Sequence, residues 1–342
     1  MISLFFIHSH TCFLSAIGTI NLLNLPSEDV RFIYARDYKN TIVKHNYHCC
    51  DISTLYRSFQ EDHLRRIWHD SPFRKDCIKK MDVIIHNLVG HNKFEVYIPH
   101  LAFSLFRVVV THPNCIRYSF IQEGGVPFSA SFKNRHGIGL SIYFWFYNHF
   151  CASKRLKMGG NWLYPAVMDD SVVIDTYATS DSFFANMPQH HNHIIQWPKI
   201  KVDFEIVHNS VVFVFDGFVN NNHIEKEYYL SQCERLVNDV AASLNYIKFH
   251  PAQDEEQKNQ IIKYFSDRKK DVKILSNEIP FELILSSCSR LKVAGFGSSL
   301  LFFAKDFGHD VICRDEWLNN SPKYKVYKQT TGFMWFKETY KE

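Results

Sequence analysis

The 342-residue chain carries a formal net charge of +4 and is 46% hydrophobic. So mild a balance suits a small anionic substrate and falls short of the basic footprint of a nucleic-acid-binding protein, so no nucleic-acid partner is expected. No uninterrupted apolar run reaches the roughly 20 residues that span a bilayer, and the length favours two domains over one.

Ile2 to Ile7 reads as a first strand. The run carries no basic residue ahead of it and breaks at His8-Ser9-His10, so a signal peptide is not expected. Apolar spacing predicts a helix over Cys12–Leu23 and a strand over Val30–Tyr34. From about Thr41 to Lys80 the chain mixes charge and aromatics and reads as helical or irregular. Met81–Leu88 and Phe94–Ile98 are strand candidates, followed by a helix from about Leu101 and a strand over Tyr118–Ile121. An aromatic helix is expected around Ile142–Cys151 and a strand over Ser171–Ile174. The histidine-rich stretch from Pro188 to Pro198 has linker character. His190, His191 and His193 lack a carboxylate or cysteine at a metal-binding interval, and Asp169-Asp170 is not an Asp-x-Asp metal motif, so no metal site is expected.

After that stretch the rhythm restarts. Strands are expected at Val211–Phe215, Tyr246–Phe249, Val272–Leu275, Leu291–Ala294 and Asp310–Cys313. Helices are expected over Glu225–Leu244, over Asp254–Arg268, after Pro280 and after Ser298. Asp254-Glu255-Glu256 suits a positive helix N-terminus. Strands alternating with helices in both halves imply two parallel-sheet α/β domains facing a central cleft, residues 1–195 and 196–342. The basic, aromatic end, Lys323–Lys328 and Phe333–Phe336, either packs back on the fold, reaching the N-terminal domain, or rests on an anionic membrane surface. Nine scattered cysteines with no C-x-x-C pair, two of them adjacent at Cys49-Cys50, point to a reduced, cytoplasmic setting.

Chemistry concentrates at strand ends. His250 follows the Tyr246–Phe249 strand, and Pro251 stops that strand, so the imidazole projects beyond the sheet and can meet a phosphate. His-Pro alone is cheap, because Thr111-His112-Pro113 occurs without companions. At Gly295-Phe296-Gly297-Ser298-Ser299 the glycines permit positive φ and close backbone approach, and the hydroxyls and helix N–H groups suit an anion. The same residues would also serve as an ordinary N-cap and tight turn. Glu282, in the first turn after Pro280, can take ribose hydroxyls or act as a surface helix-start acid. Glu123, after an apolar strand and before two glycines, can take a proton from a sugar hydroxyl or simply occupy a turn.

These residues, in this order, resemble the bacterial sialyltransferases of the lipooligosaccharide type, glycosyltransferase family 52, and their relatives in families 80 and 38. Those families carry an acidic-acidic-Gly motif, a His-Pro motif and a Ser-Ser/Thr pair. This chain has Gln122-Glu123-Gly124, Lys248-Phe249-His250-Pro251 and Ser298-Ser299. The stretch from Phe281 to Leu300 is similar to their donor segment, while Gln122 departs from the first acidic position.

The resemblance implies a GT-B fold of two Rossmann-like domains, an acceptor-binding one and a CMP-sugar-binding one. It implies transfer of sialic acid from CMP-sialic acid to a terminal sugar such as galactose on a bacterial surface glycan, with inversion and neither metal nor cofactor. It makes Glu123 the catalytic base and gives His250, Ser298 and Ser299 the phosphate and Glu282 the ribose. It puts Lys248, Pro251 and Gly297 in the donor site. It implies a cytoplasmic enzyme, soluble or peripheral on the inner membrane. Transfer of Kdo, extension of polysialic acid, a UDP-sugar 2-epimerase and a binding module without catalysis stay open beside it. Acceptor identity and linkage are not encoded in any motif.

Overall fold

The computed structural model describes the chain except for residues 41–45, 62–70, 102, 125–144, 146–148, 150–152, 158–172, 182, 185–189, 199–205, 208, 278 and 332–342. It divides into two compact units, residues 1–123 with 132–198, and 124–131 with 199–342.

In the first unit seven strands form one wholly parallel sheet. They are β1 (Ile2–Ile7), β2 (Val30–Tyr34), β3 (His48–Asp51), β4 (Phe94–Ile98), β5 (Cys115–Ile121), β6 (Ile174–Ala178) and β7 (His190–Ile194), in the order β3-β2-β1-β4-β5-β6-β7. Every residue of β1 and β4 is buried. A strand buried on both faces is close to continuously apolar, which is why Ile2–Ile7, broken only by Ser3, reads so clearly. Helix α1 (His10–Leu23) starts at the N-cap Ser9, whose side chain accepts from Cys12 N, and ends on Asn24 at φ 50°. Helices α2 (Ser53–Glu61), α3 (Ser71–Val89) and α4 (Ser104–Val110) complete the described framework.

The second unit is a five-stranded parallel sheet. Its strands are β8 (Val211–Phe215), β9 (Leu244–Phe249), β10 (Asp271–Ile274), β11 (Lys292–Gly295) and β12 (Asp310–Cys313), in the order β10-β9-β8-β11-β12. Helices α5 (Lys226–Val240), α6 (Glu255–Ser266), α7 (Phe281–Ser287), α8 (Ser299–Asp306) and α9 (Pro322–Thr331) accompany it. Its core joins Val211, Phe213 and Phe215 of β8 to Tyr229, Cys233 and Leu236 of α5 and to Ile261 and Phe265 of α6. Asp254 caps α6 by accepting from Gln257 N at 2.8 Å. The two-unit, parallel-sheet α/β class read from the sequence is the observed one.

Several local expectations give way. Met81–Leu88 belongs to α3, because Cys77, Ile78, Met81, Ile85 and Val89 are buried at helical spacing while Val83 is 59% exposed. The helix expected from about Leu101 is α4, and His112-Pro113 follows its end at Val110. The stretch read as a linker contains β7, paired in parallel with β6, where His193 Nε2 lies 2.7 Å from Asp175 Oδ1. The run Lys323–Lys328 lies in α9, whose Tyr324 is fully buried in the core of the second unit. Phe333–Phe336, Asp169-Asp170 and, apart from Trp145 and His149, Ile142–Cys151 lie outside the described residues. All the described cysteines are free thiols, Cys49 and Cys50 among them. Among the described residues no helix is long and apolar enough to cross a membrane.

Candidate active site

In each sheet the strand order turns where two strands part to opposite sides, and the crevice beyond their C-terminal ends is where open α/β sheets take ligands. In the first unit that point lies between β1 and β4. His8 follows β1, His100 lies two residues past β4 and Glu123 two past β5. Parallel strands end at one edge, so residues far apart in sequence converge there.

Glu123 is buried, with His8 Nε2 at 2.5 Å from its Oε1, His100 Nε2 at 3.3 Å from Oε2 and Arg36 Nη1 at 3.9 Å from Oε1. Burial alone would raise the carboxyl, but the ion pair and hydrogen bond with His8, with His100 and Arg36 adding to them, outweigh it and hold Glu123 at about 2. Burial likewise pulls His8 down, yet the Glu123 charge, helped by Cys12, carries it up to about 10. His100, buried and without an ion pair as close, falls to about 4. The centre is thus an imidazolium–carboxylate pair beside a neutral imidazole. Glu123 Oε2 has no hydrogen bond among the described residues, which leaves it an acceptor for an incoming hydroxyl.

The neighbouring Gln122, fully buried, turns the other way. Its Oε1 accepts from Thr179 N at 2.7 Å and its own N donates to Tyr177 O, so it stitches the end of β5 to the end of β6. An amide suits that structural task, and the carboxylate is kept for Glu123. His8, Cys12 and Glu123 bring ligand atoms within 4.8 Å of one another and are the described group that could hold a metal ion. An ion there would have to part the 2.5 Å His8–Glu123 contact.

In the second unit the turning point lies between β8 and β11. His250 follows β9, and its backbone N donates to Phe215 O at 3.1 Å and to Gln253 Oε1 at 2.9 Å. Ala252 N donates to His250 Nδ1 at 3.0 Å, which fixes the hydrogen on Nε2. Partial burial keeps His250 below its ordinary value, so at neutral pH the ring offers a neutral Nε2–H. A Cβ at Gly217 would lie 2.6 Å from Nδ1, so only glycine lets the end of β8 approach this ring. Pro251 is an exposed turn residue beside it.

Ser298 caps α8, accepting from Leu300 N at 3.4 Å, and Ser299 opens that helix. Gly297 is buried just before them. The described glycines at positive φ are Gly90 and Gly308, so neither Gly295 nor Gly297 supplies left-handed backbone. A Cβ at Gly295 would meet Val214 O at 2.7 Å.

Lys248 Nζ donates to Ser276 O at 2.8 Å and Ile279 O at 3.3 Å. It therefore anchors the loop that leads into α7, whose first turn holds Glu282. Burial lowers Lys248, opposed by the nearby Glu282 charge. Lys248, His250, Pro251, Gly297, Ser298 and Ser299 thus share the C-terminal edge of one sheet, with Glu282 tied to it through Lys248. Sequence reading missed His8, His100 and Arg36; a histidine directly after a fully apolar strand was the available signal for His8.

Residues 174–311, fewer than half of the chain, match the model of the alpha-2,8-polysialyltransferase family. The match supports glycosyl transfer. The matched stretch runs from β6 into β12 and contains every residue of the second-unit cluster, but not Glu123. No curated protein matches the chain. Solved structures similar to it include a sialyltransferase from Photobacterium damsela (13% identity, 97% of this chain and 79% of that one, TM-score 0.45). Others are a UDP co-structure of MnaA from S. aureus (8%, 99% and 91%, 0.48) and heptosyltransferase II, an ADP-heptose enzyme of E. coli (9%, 92% and 84%, 0.41).

Proposed function

We propose that this chain is a sialyltransferase of GT-B type, which moves sialic acid from CMP-sialic acid to a hydroxyl of a glycan with inversion and without a metal. The observation that carries the reading is the shared sheet edge of His250, Ser298 and Ser299, inside the segment that matches the polysialyltransferase family.

In this reading the acceptor hydroxyl donates to Glu123 Oε2 while its oxygen attacks C2 of the sialic acid. The C2–O bond to phosphate breaks and its electron pair leaves with CMP. His250 Nε2–H, the serine hydroxyls and the first N–H groups of α8 meet the growing phosphate charge. Glu123, paired with His8, is ionised but weakly basic. It takes the proton late, once bonding to C2 has made the attacking oxygen strongly acidic. Glu282 holds the ribose, and Lys248 keeps its loop in place.

The family description favours a sialic-acid-ended acceptor, and so 2,8 linkage and chain extension, over a galactose-ended one. Cytoplasmic residence, with peripheral contact to the inner membrane beside a lipid-borne acceptor, fits the same reading. The test is to incubate the protein with CMP-sialic acid and each acceptor class, with and without chelator, and to weigh the products. Sialylation of either acceptor with chelator present supports the reading, and serial addition identifies extension. No transfer to any acceptor, with calorimetry showing UDP bound in place of CMP, overturns it.

A further inference from the structure

Arg36 lies just past the end of β2, at the same sheet edge as Glu123, and its backbone is unusual. Arg36 and Asp37 both sit in the left-handed region, at φ 59° and 56°, and Tyr38 N donates to Ala35 O across them at 3.2 Å. A tight turn of that hand ordinarily calls on glycine or asparagine at its centre, because a Cβ there crowds the following carbonyl. This one is pinned on both sides. Ala35 N donates to Ile7 O at 2.9 Å, Asp37 N donates to Ser53 Oγ at 2.7 Å, and the Asp37 carboxylate pairs with Arg57. Backbone strain persists only where its surroundings over-determine it, and it gathers at sites that hold ligands.

The turn presents a guanidinium beside the candidate base. Arg36 Nη1 lies 3.9 Å from Glu123 Oε1, and the guanidinium carbon lies 5.9 Å from the centre of the Phe103 ring. The side chain is 46% exposed and makes no hydrogen bond among the described residues. Nor has its charge a close partner of its own there. Glu123 is already answered by His8 at 2.5 Å. The acids that end β3 and sit in the turn are engaged as well, Asp51 by the backbone N and Oγ of Ser53 and Asp37 by Arg57. A positive charge with a fork of N–H donors is therefore left over next to Glu123.

We propose that Arg36 selects the acceptor, by binding a carboxylate carried on the same sugar whose hydroxyl meets Glu123. A guanidinium fits a carboxylate through paired N–H···O bonds, and the Phe103 ring on one side leaves its other surfaces for the incoming group. A galactose-ended acceptor brings no anion to this point, whereas a sialic-acid-ended one does. The inference rests on the reading of Glu123 as the base and adds the residue that chooses among acceptors.

The test measures kcat/KM for transfer from CMP-sialic acid to a sialic-acid-ended oligosaccharide, to the same compound with its terminal carboxylate converted to the amide, and to a galactose-ended oligosaccharide. Each is run with the native protein, with Arg36→Asn, which tolerates left-handed backbone, and with Arg36→Lys, which keeps the charge without the fork. Thermal unfolding checks that both variants fold. The native protein should favour the carboxylate over the amide by about tenfold or more, the worth of a charge-assisted hydrogen bond. Arg36→Asn should bring that ratio close to one, and Arg36→Lys should retain part of it. A merely structural role would lower the carboxylate and amide acceptors alike and leave the ratio untouched. That result, a native ratio near one, or a native preference for the galactose-ended acceptor overturns the role of Arg36 and leaves sialyl transfer standing. A folded native protein that transfers sialic acid to none of these acceptors overturns the proposed function and this inference with it.

Discussion

Replacing His8 with glutamine removes the nearest cation from a buried carboxylate and leaves a side chain of similar reach. Glu123 stands at about 2 against an ordinary 4.5. At about 1.4 kcal/mol per tenfold change in proton affinity, that is about 3 kcal/mol of net preference for the ionised form. Most of it belongs to His8, because Arg36 is farther away and half exposed and His100 is neutral. Removing one partner of a buried pair costs about 3–5 kcal/mol by mutational experience, which agrees. The His8→Gln protein should therefore lose about 3 kcal/mol at pH 5.5.

The pH dependence fixes the sign. Glu123, held below its ordinary value, stabilises the fold above about pH 4.5 and loses that contribution as pH falls toward 2. His8, held above its ordinary value, contributes below about pH 6.5 and loses that contribution as pH rises toward 10. The gap between native and variant proteins should be widest between those limits and narrower at pH 3 and pH 9.5. Urea unfolding followed by circular dichroism at the three pH values measures it. A gap equal at all three, or a variant as stable as the native protein at pH 5.5, refutes the ion pair as the organiser of this centre.

His250→Ala should lower turnover of CMP-sialic acid by about a hundredfold or more, with thermal unfolding unchanged, because it removes one preorganised donor from the phosphate. Gly217→Ala pushes a Cβ into the His250 ring and should weaken CMP binding measured by calorimetry, with about 1–3 kcal/mol of stability lost to overpacking. Glu123→Gln should abolish transfer while leaving CMP affinity within about twofold, read by product mass and calorimetry. Met81→Ala, at a fully buried position of α3, should cost about 2–5 kcal/mol in urea unfolding, whereas the exposed Val83→Ala should be nearly silent.

The fold was legible where one residue type answers one physical demand. β8 is buried on both faces and apolar throughout, β1 departs from that only at Ser3 and β4 only at Glu95, which pairs with Arg117, and the acids that open α6 announce its N-terminus. The second-unit cluster was legible because Lys248, His250 and the Ser298 segment each end or follow a recognisable strand. The Glu123 centre was half legible: Glu123 stood out, but His8 and His100 follow other strands and come to it only through the crossovers of the sheet. Met81–Leu88 misled because a short apolar run fits both periods until the buried Cys77 and Val89 on either side are counted. The histidines of β7 misled because polar residues were taken to exclude a strand, whereas an outer strand tolerates them.

That outer strand has a bearing on how the protein behaves in a crowded solution. β7 is the last strand of the described sheet, and its outward main-chain groups would be an open template for another molecule to extend. His190, His191, Asn192 and His193 give it short, hydrophilic and partly chargeable side chains, with Asp175 and Arg117 in ionic contact beneath. A sequence that looks like a spacer thus gives the described sheet a short and polar border.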